Sequence, residues 1–412
     1  PYGDVQALVR KDAVDPQGAA ELEELDLADH VFVEGPAIKT KTGALALRAD
    51  RYRHVSKAML PPPAKWHGLK DVEKRYRERY VDLFANPEVA ETFRARATVV
   101  KALRRFLDER GFLEVETPLL HSVRGGATAK PFRTHHNALD LELYLRIAPE
   151  LYLKRLLVGM YERVYEIGRD FRNEGVSYKH NPEFTQLEFY CAYTDLYGIM
   201  ETVEELLSYT AQRTLGGVSL TYKGHNVDLT PPWRRRTLRD VILQETGIDY
   251  VAFSEAADLR AEMRRRGFHA AADATWGRLV DALLGEAEPN LIEPTFVHDY
   301  PIDISPLAKQ KPDDPTHVER FELFVGGMEM GNAFTELNDP FEQERRFLQQ
   351  GRESAAGNEE AQPMDEDYLQ AMKYGMPPNG GFGLGIDRLA MLFTDHQSIR
   401  EVLLYPHLRS RD

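Results

Sequence analysis

The sequence has a single cysteine, Cys191, among 412 residues. That excludes a disulfide framework and cysteine-ligated zinc within the chain, and it fits a reducing, cytoplasmic setting. No apolar run approaches the ~18 residues a membrane span needs, so no membrane partner is expected. There is no signal-peptide pattern and no internal repeat. Basic charge is also short: 52 Lys and Arg against 66 Asp and Glu give a formal net charge of −14. This argues against blanket coating of nucleic acid, although a local basic face leaves room for an RNA partner. The chain opens at Pro1 without methionine, in the middle of a β-pattern, so an N-terminal part is expected to be missing. An apolar fraction of 42% is enough for a large core, and the length suggests two or three domains.

The most informative stretch is YERVYEIGRDFRNEGVSYKHNPEFTQLEFYCAY, residues 161–193. Val164 to Arg172 and Phe184 to Cys191 read as strands flanking a polar loop. Side chains alternate along a strand, so Phe184, Gln186, Glu188 and Tyr190 share one face and Leu187, Phe189 and Cys191 the other. The second face suits a core. The first combines an acid, an amide and two aromatics, and the loop adds Arg172, Glu174, Lys179 and His180. Such a surface points to a bound ligand.

Residues 1–60 read as β-strands with a KTG hairpin signal, a small barrel too short of strands to close. Pro61-Pro62-Pro63 makes a stiff linker. KRYRERY (Lys74–Tyr80) reads as a solvated helix face or, more sharply, as an RNA or subunit contact. From Asn86-Pro87 a helix runs to Arg110, with Val89, Phe93, Ala97, Val100, Leu103 and Leu107 in one stripe, and Gly111 ends it. FLEVETPLL follows as a strand ending at Pro118, which suits an edge or a break, and helix plus strand offer a dimer seam or pack within one subunit. Ala148-Pro149-Glu150 opens another helix, where the dipole by itself favours an acid. Residues 237–297 read as a helix-rich insertion, and acidic 351–367 as a surface loop.

FELFVGGMEMGNAFTELNDP (321–340) repeats the hairpin logic around a two-residue Gly326-Gly327 turn. Glu322 and Glu329 become diagonal neighbours ~7 Å apart, a pair of hard oxygen donors that suits Mg²⁺. The pair reads equally well as two acids on an exposed sheet face. Asn332, Phe334 and Glu336 fall on the face opposite Glu329 if the strand is regular. Both sets can line one site only if the strand bulges, most easily at Gly331. The C-terminal GGFGLGIDRLAMLF reads as strand, glycine turn, helix. Its G-x-G-x-x-G lacks a βαβ context. Arg388 in the first helical turn opposes the dipole, so a phosphate or a π-face should justify it.

FLDERGFLEVETPLL, FRNEGVSYKHNPEFTQLEFY and GLGIDRLAMLF resemble the three signature motifs of class II aminoacyl-tRNA synthetases. LRIAPELYLKRLLVGMYERVYEIGRDFRNEG, HNPEFTQLEFY and GNAFTELNDP narrow the resemblance to the lysyl-tRNA synthetases of that class. The resemblance implies an α+β fold: a six- to seven-stranded antiparallel sheet flanked by helices, behind an incomplete N-terminal OB-fold barrel. It puts the partial anticodon-binding domain at 1–63 and the catalytic domain at 64–412. It implies a homodimer through motif 1, with L-lysine, ATP and tRNA as substrates and Mg²⁺ as cofactor. Arg172 would grip the α-phosphate and the lysine carboxylate. Glu174 would accept from the adenine amino group, with Phe184 and Arg388 on the two faces of adenine. His180 and Arg388 would hold the γ-phosphate, and Glu322 and Glu329 the Mg²⁺. Glu150 and the Gly126 carbonyl would meet the α-amino group, and Asn332 the carboxylate. Glu336 and Tyr190 would take the ε-ammonium, with Glu188 beside them and Phe334 along the methylenes. Gln6 matches the anticodon-reading glutamine.

Two other readings share these residues. A paralogue that attaches lysine-like amino acids to a protein lacks the OB barrel, against residues 1–60. A binding-only homologue has eroded motif residues, against Arg172, Glu174 and Arg388.

Overall fold

The computed structural model describes residues 3–63, 68–355 and 363–409. The chain separates into two compact units, residues 1–90 and 91–412.

In the small unit, Gln6–Leu8, Leu45–Arg48 and Ala37–Lys39 form one sheet, and His30–Glu34 pairs with Arg51–Ser56 in another. The arrangement is a partial OB-like one, and no barrel closes among the described residues. Gln6 lies exposed on its strand opposite Ala46. The helix Pro16–Glu23 was not expected from the sequence. Asp15 caps it by accepting from the Gly18 amide, and proline holds its first turn. The KRYRERY segment is not simply a solvated face. It straddles helices Val72–Arg77 and Arg79–Ala85, with Tyr76 and Arg79 buried and Arg75 and Arg79 both paired to Asp82. Half of this basic cluster neutralises an internal carboxylate.

The large unit is built on an eight-stranded sheet. Its order is Arg234–Thr237, Thr295–Pro301, His317–Phe324, Glu329–Thr335, Asn379–Gly385, Glu183–Ala192, Arg163–Phe171, Leu113–Glu114. The six inner strands are antiparallel, and each outer strand joins in parallel, so the sheet is larger and more mixed than the resemblance implies. One face carries the main core, where Leu187, Phe189, Phe321, Leu323, Phe382 and Leu384 pack under helices Leu196–Leu215 and Ile386–Phe393. The opposite face carries the polar residues.

Three expectations need correction. FLEVETPLL is strand only at Leu113–Glu114 and Leu120–His121, because Pro118 has no amide to donate to a continuous ladder. In the helix Pro87–Glu109 Val89, Leu103 and Leu107 of the expected stripe are buried, joined by Val99 and Phe106, while Ala97 is exposed and Phe93 and Val100 are half-buried along a groove. The helices of residues 237–297 share a second core with Val297, Val318 and Phe324 of the sheet. The acidic stretch 351–367 is helical to Ala355 and again from Glu366, and 356–362 lies outside the described residues. Among the described residues no helix is long and apolar enough to cross a membrane.

Candidate active site

The polar face of the sheet is the floor of a cavity of about 350 Å³. Period-two alternation puts it there. Leu187 and Phe189 are fully buried in the main core, so Gln186, Glu188 and Tyr190 must project the other way. The 326–327 turn forms as expected: both glycines have positive φ, and Phe324 faces Glu329 across it. Beyond the turn Leu323 pairs with Gly331, so Met330 is an extra residue in its strand. This bulge resets the alternation beside Gly331, and Glu329, Asn332, Phe334 and Glu336 all reach the same cavity.

The glycine-rich segment before Arg388 is not a turn. Asn379–Gly385 is a continuous inner strand that runs straight into helix Ile386–Phe393. Its glycines are required by close approach. A Cβ at Gly381 would strike the Tyr190 ring and come within 2.6 Å of Glu336 Oε1, and one at Gly383 would lie 2.7 Å from Gln186 Nε2. Bare backbone therefore makes the floor on which the side chains of the neighbouring strands rest.

The cavity has two chemically distinct ends. At one, Glu150, Glu188 and Glu336 are buried carboxylates. Tyr190 donates to Glu188 Oε2 at 3.1 Å and Gln186 to its Oε1 at 2.9 Å. Burial, with the charges of Glu150 and Asp170, pushes Glu188 well above the usual carboxylate range. Burial likewise raises Glu150 and Glu336, against the pull of Lys154, which pairs with both. Gly126, with positive φ, lies where a Cβ would press on Glu150 Cβ at 3.1 Å, so its backbone passes directly beside that acid.

At the other end stand Arg172, Lys179, His180 and Arg388. The Arg172 guanidinium lies 5.0 Å from the Phe184 ring centroid, and its Nε is buried without a hydrogen-bond partner. Glu174 is exposed at the rim. Arg388 donates to the Glu329 carbonyl at 2.8 Å and to its carboxylate at 2.9 Å, and a second nitrogen reaches His180 Nε2 at 3.2 Å. Since arginine can only donate, His180 Nε2 accepts, and its Nδ1 donates to Ser177 Oγ at 2.8 Å. Desolvation and the nearby charges of Arg388 and Lys179 bring His180 down to about 4, so the ring is neutral at pH 7.

All the expected site residues of this unit line the cavity except Glu322, and Gln6 belongs to the other unit. Glu322 lies directly across from Asn332 on the neighbouring strand, accepting from Tyr300 at 3.0 Å and Arg320 at 2.6 Å, and burial pushes it up to about 7. The oxygen donors of Glu322 and Glu329 suit Mg²⁺. Among the described residues no cluster of three or more metal-ligating side chains occurs. A cation held by this pair would therefore need phosphate or water oxygens as well.

Sequence reasoning missed several groups. Arg320 donates to Asn332 Oδ1 at 2.9 Å, which leaves the Asn332 amide nitrogen free to face an anion. Parity with Glu322 was the available signal. Asp387, next to Arg388, accepts from the Thr185 amide at 2.8 Å and pairs with Arg96, tying the helix start to the central strand. Glu288, from the stretch read as an insertion without chemistry, pairs with Lys179. Nothing in its local sequence signals this.

Residues 71–409 match the family model of class II tRNA synthetases for D, K and N. A lysine–tRNA ligase of Carboxydothermus hydrogenoformans is 51% identical over 411 residues, covering 100% of this chain and 84% of that protein. A lysine–tRNA ligase of Roseiflexus castenholzii is 54% identical over 391 residues, covering 95% and 80%. The chain belongs to the class II lysine–tRNA ligase family. In this synthetase the second signature stretch is the antiparallel pair at the cavity's centre, and the third is the glycine floor with Arg388. The first supplies the sheet edge at Leu113–Glu114.

Proposed function

We propose that the chain activates L-lysine with ATP, giving lysyl-adenylate and pyrophosphate, and then transfers lysine to the 3′-terminal adenosine of its tRNA. The observation that carries this is the cavity's polarity: three buried carboxylates at one end, a cluster of cations at the other, and Arg172 with an unpartnered Nε at the basic end. Lysine is a substrate with two ammonium groups and one carboxylate. ATP is a polyanion with an aromatic base.

The ε-ammonium would enter against Glu336, Glu188 and Tyr190, and the α-ammonium against Glu150 and the Gly126 carbonyl. The carboxylate then meets Arg172 and the Asn332 amide nitrogen, with Phe334 along the methylenes. Phe184 would stack on adenine, Glu174 would accept from its amino group, and His180 and Arg388 would hold the terminal phosphates. Arg388 would leave Glu329 for phosphate or adenine. Where Mg²⁺ is bound, Glu322 and Glu329 would hold it to neutralise phosphate charge.

The first step needs no general base, because the substrate carboxylate is already ionised at pH 7. A lysine carboxylate oxygen attacks the α-phosphorus, the bond to the bridging oxygen breaks, and pyrophosphate leaves. Arg172 stabilises charge at the α-phosphate as it develops, and the cavity walls align the two reactants. A terminal ribose hydroxyl then attacks the adenylate carbonyl, and AMP departs.

In the same reading residues 1–63 are the partial anticodon module, with Gln6 as its reader, and 64–412 the catalytic domain. The family match starting at residue 71 supports that division. A homodimer through motif 1 is supported by exposed apolar side chains along it: Leu113 on the edge strand of the large sheet, and Leu119 and Leu120 beyond it. Its check is the mass in solution, with a monomer at all concentrations against it.

Amino-acid-dependent ATP–pyrophosphate exchange, run with each of the twenty amino acids, tests the assignment without tRNA. Lysine alone should support exchange. Exchange driven by another amino acid, or none with lysine, overturns it.

A further inference from the structure

The lysine-binding reading leaves one buried charge unused. Lys154 is fully buried, and its ammonium pairs at once with Glu150 and with Glu336. It does not line the cavity, whereas both of its partners do. Glu150 is four residues away on helix Glu150–Val158, so the helix stacks the two side chains on one face. Glu336 is brought in from beyond the Glu329–Thr335 strand. The ammonium also lies 5.9 Å from the Tyr190 ring centroid.

The charge count at this end does not close. Fully ionised, Glu150, Glu188 and Glu336 carry three negative charges, and Lys154 supplies one positive charge. The nearest arginines are committed elsewhere: Arg320 to Glu322 and Arg146 to Glu166 and Asp170. The deficit is two positive charges, the number a diamino acid brings. Lys154 thus sits behind the two acids that would receive the two ends of the substrate.

We propose that Lys154 is a positioning residue for amino-acid specificity: a fixed internal cation that clamps the α-ammonium acceptor Glu150 to the ε-ammonium acceptor Glu336, so setting the length of diamino acid the site accepts. This rests on the lysine reading given above. Without the clamp, two buried carboxylates would face each other with nothing between them, and both would be held protonated further up the pH scale. The groups facing Lys154 are Glu150 on its own helix, Glu336 from just beyond the Glu329–Thr335 strand, Tyr190 from the sheet, and Tyr368 from helix Glu366–Lys373. All are acidic or neutral, so the lysine stays charged. Its charge opposes the desolvation that raises Glu150 and Glu336.

The test is exchange kinetics on the whole chain with lysine and with ornithine. Removing one partner of a buried charge pair should raise the lysine KM of Lys154→Met by about 100-fold, while the KM for ATP changes little. Its preference for lysine over ornithine should collapse. Lys154→Arg keeps the charge on a longer, forked side chain. It should remain active and folded, with the lysine-to-ornithine ratio shifted by about fivefold or more. An unchanged lysine KM in Lys154→Met overturns the proposal, as do parallel rises in both KM values. If Lys154→Met does not fold, the arginine variant decides, and an unshifted ratio there is against the proposal. Absence of lysine exchange in the unaltered chain would instead sink the functional reading itself.

Discussion

The two ends of the cavity solve opposite electrostatic problems in opposite ways. The acid end is buried, and its charges are held by a rigid helix and inner strands. Glu150, Glu188 and Glu336 are all pushed up by burial, and Lys154 is the cation that pairs with two of them, so acids outnumber cations at this end. The basic end is more open. It is built on the loop after Phe171 and on a helix start, and its charges are paired with acids: Arg388 with Glu329, Lys179 with Glu288. A buried, preorganised end discriminates, because a ligand lacking the right charge leaves an unpaired ion behind. An open, exchangeable end suits a substrate whose product must leave. Specificity for the amino acid is thus expected to be strict, and nucleotide binding to depend on released arginines.

The largest effect should follow from Glu336→Gln. Losing the acid that meets the ε-ammonium should cut lysine-dependent exchange by about 100- to 1,000-fold, with ATP binding measured by equilibrium dialysis nearly unchanged. Near-wild-type exchange would break the comparison at its acid end. Arg388→Gln should give the mirror result: kcat/KM for ATP lower by about 100-fold and the lysine KM within a few-fold. A matching rise in lysine KM would mean the two ends are not separable.

Gly381→Ala is next. The added methyl would press on Tyr190 and Glu336. Overpacking costs about 1–3 kcal/mol, and here it should appear as a lysine KM raised about tenfold or more. Unchanged kinetics would show that the floor is not tight.

The smallest effect is pH dependence. A carboxyl whose folded pKa is raised favours the folded state while protonated, and that contribution is lost as pH rises through the folded value. The lysine-free protein should therefore lose some stability as pH climbs from about 5 towards 8, counting from an unfolded carboxylate near ~4.3. Saturating lysine should remove the loss, and its KM should fall over the same range. His180, at about 4, is already neutral there, so it contributes nothing to any change in ATP affinity between pH 6 and 8. Thermal melts with and without lysine across this range check the sign.

Much of this was legible in the chain. Alternation in Glu183–Ala192 gave the division between core and ligand faces, and Gly326-Gly327 gave the turn. The need for a bulge near Gly331 followed from parity alone. The glycines before Arg388 were misread as a turn, because close approach to Tyr190 and Glu336 leaves no local trace. Arg320 and Glu288 were missed for the same reason, since their partners lie in other segments. Lys154 was visible as a helical neighbour of Glu150, but Glu336 is 182 residues away.

By itself the sequence determined which groups are present and which face of each element they occupy, because helix and strand periods are local properties of the backbone. Only the tertiary structure decided which acids share one cation, which are buried far enough to resist ionisation, and which arginine meets which carboxylate. Those depend on distance and on exclusion of water, and both are fixed only when distant segments pack together.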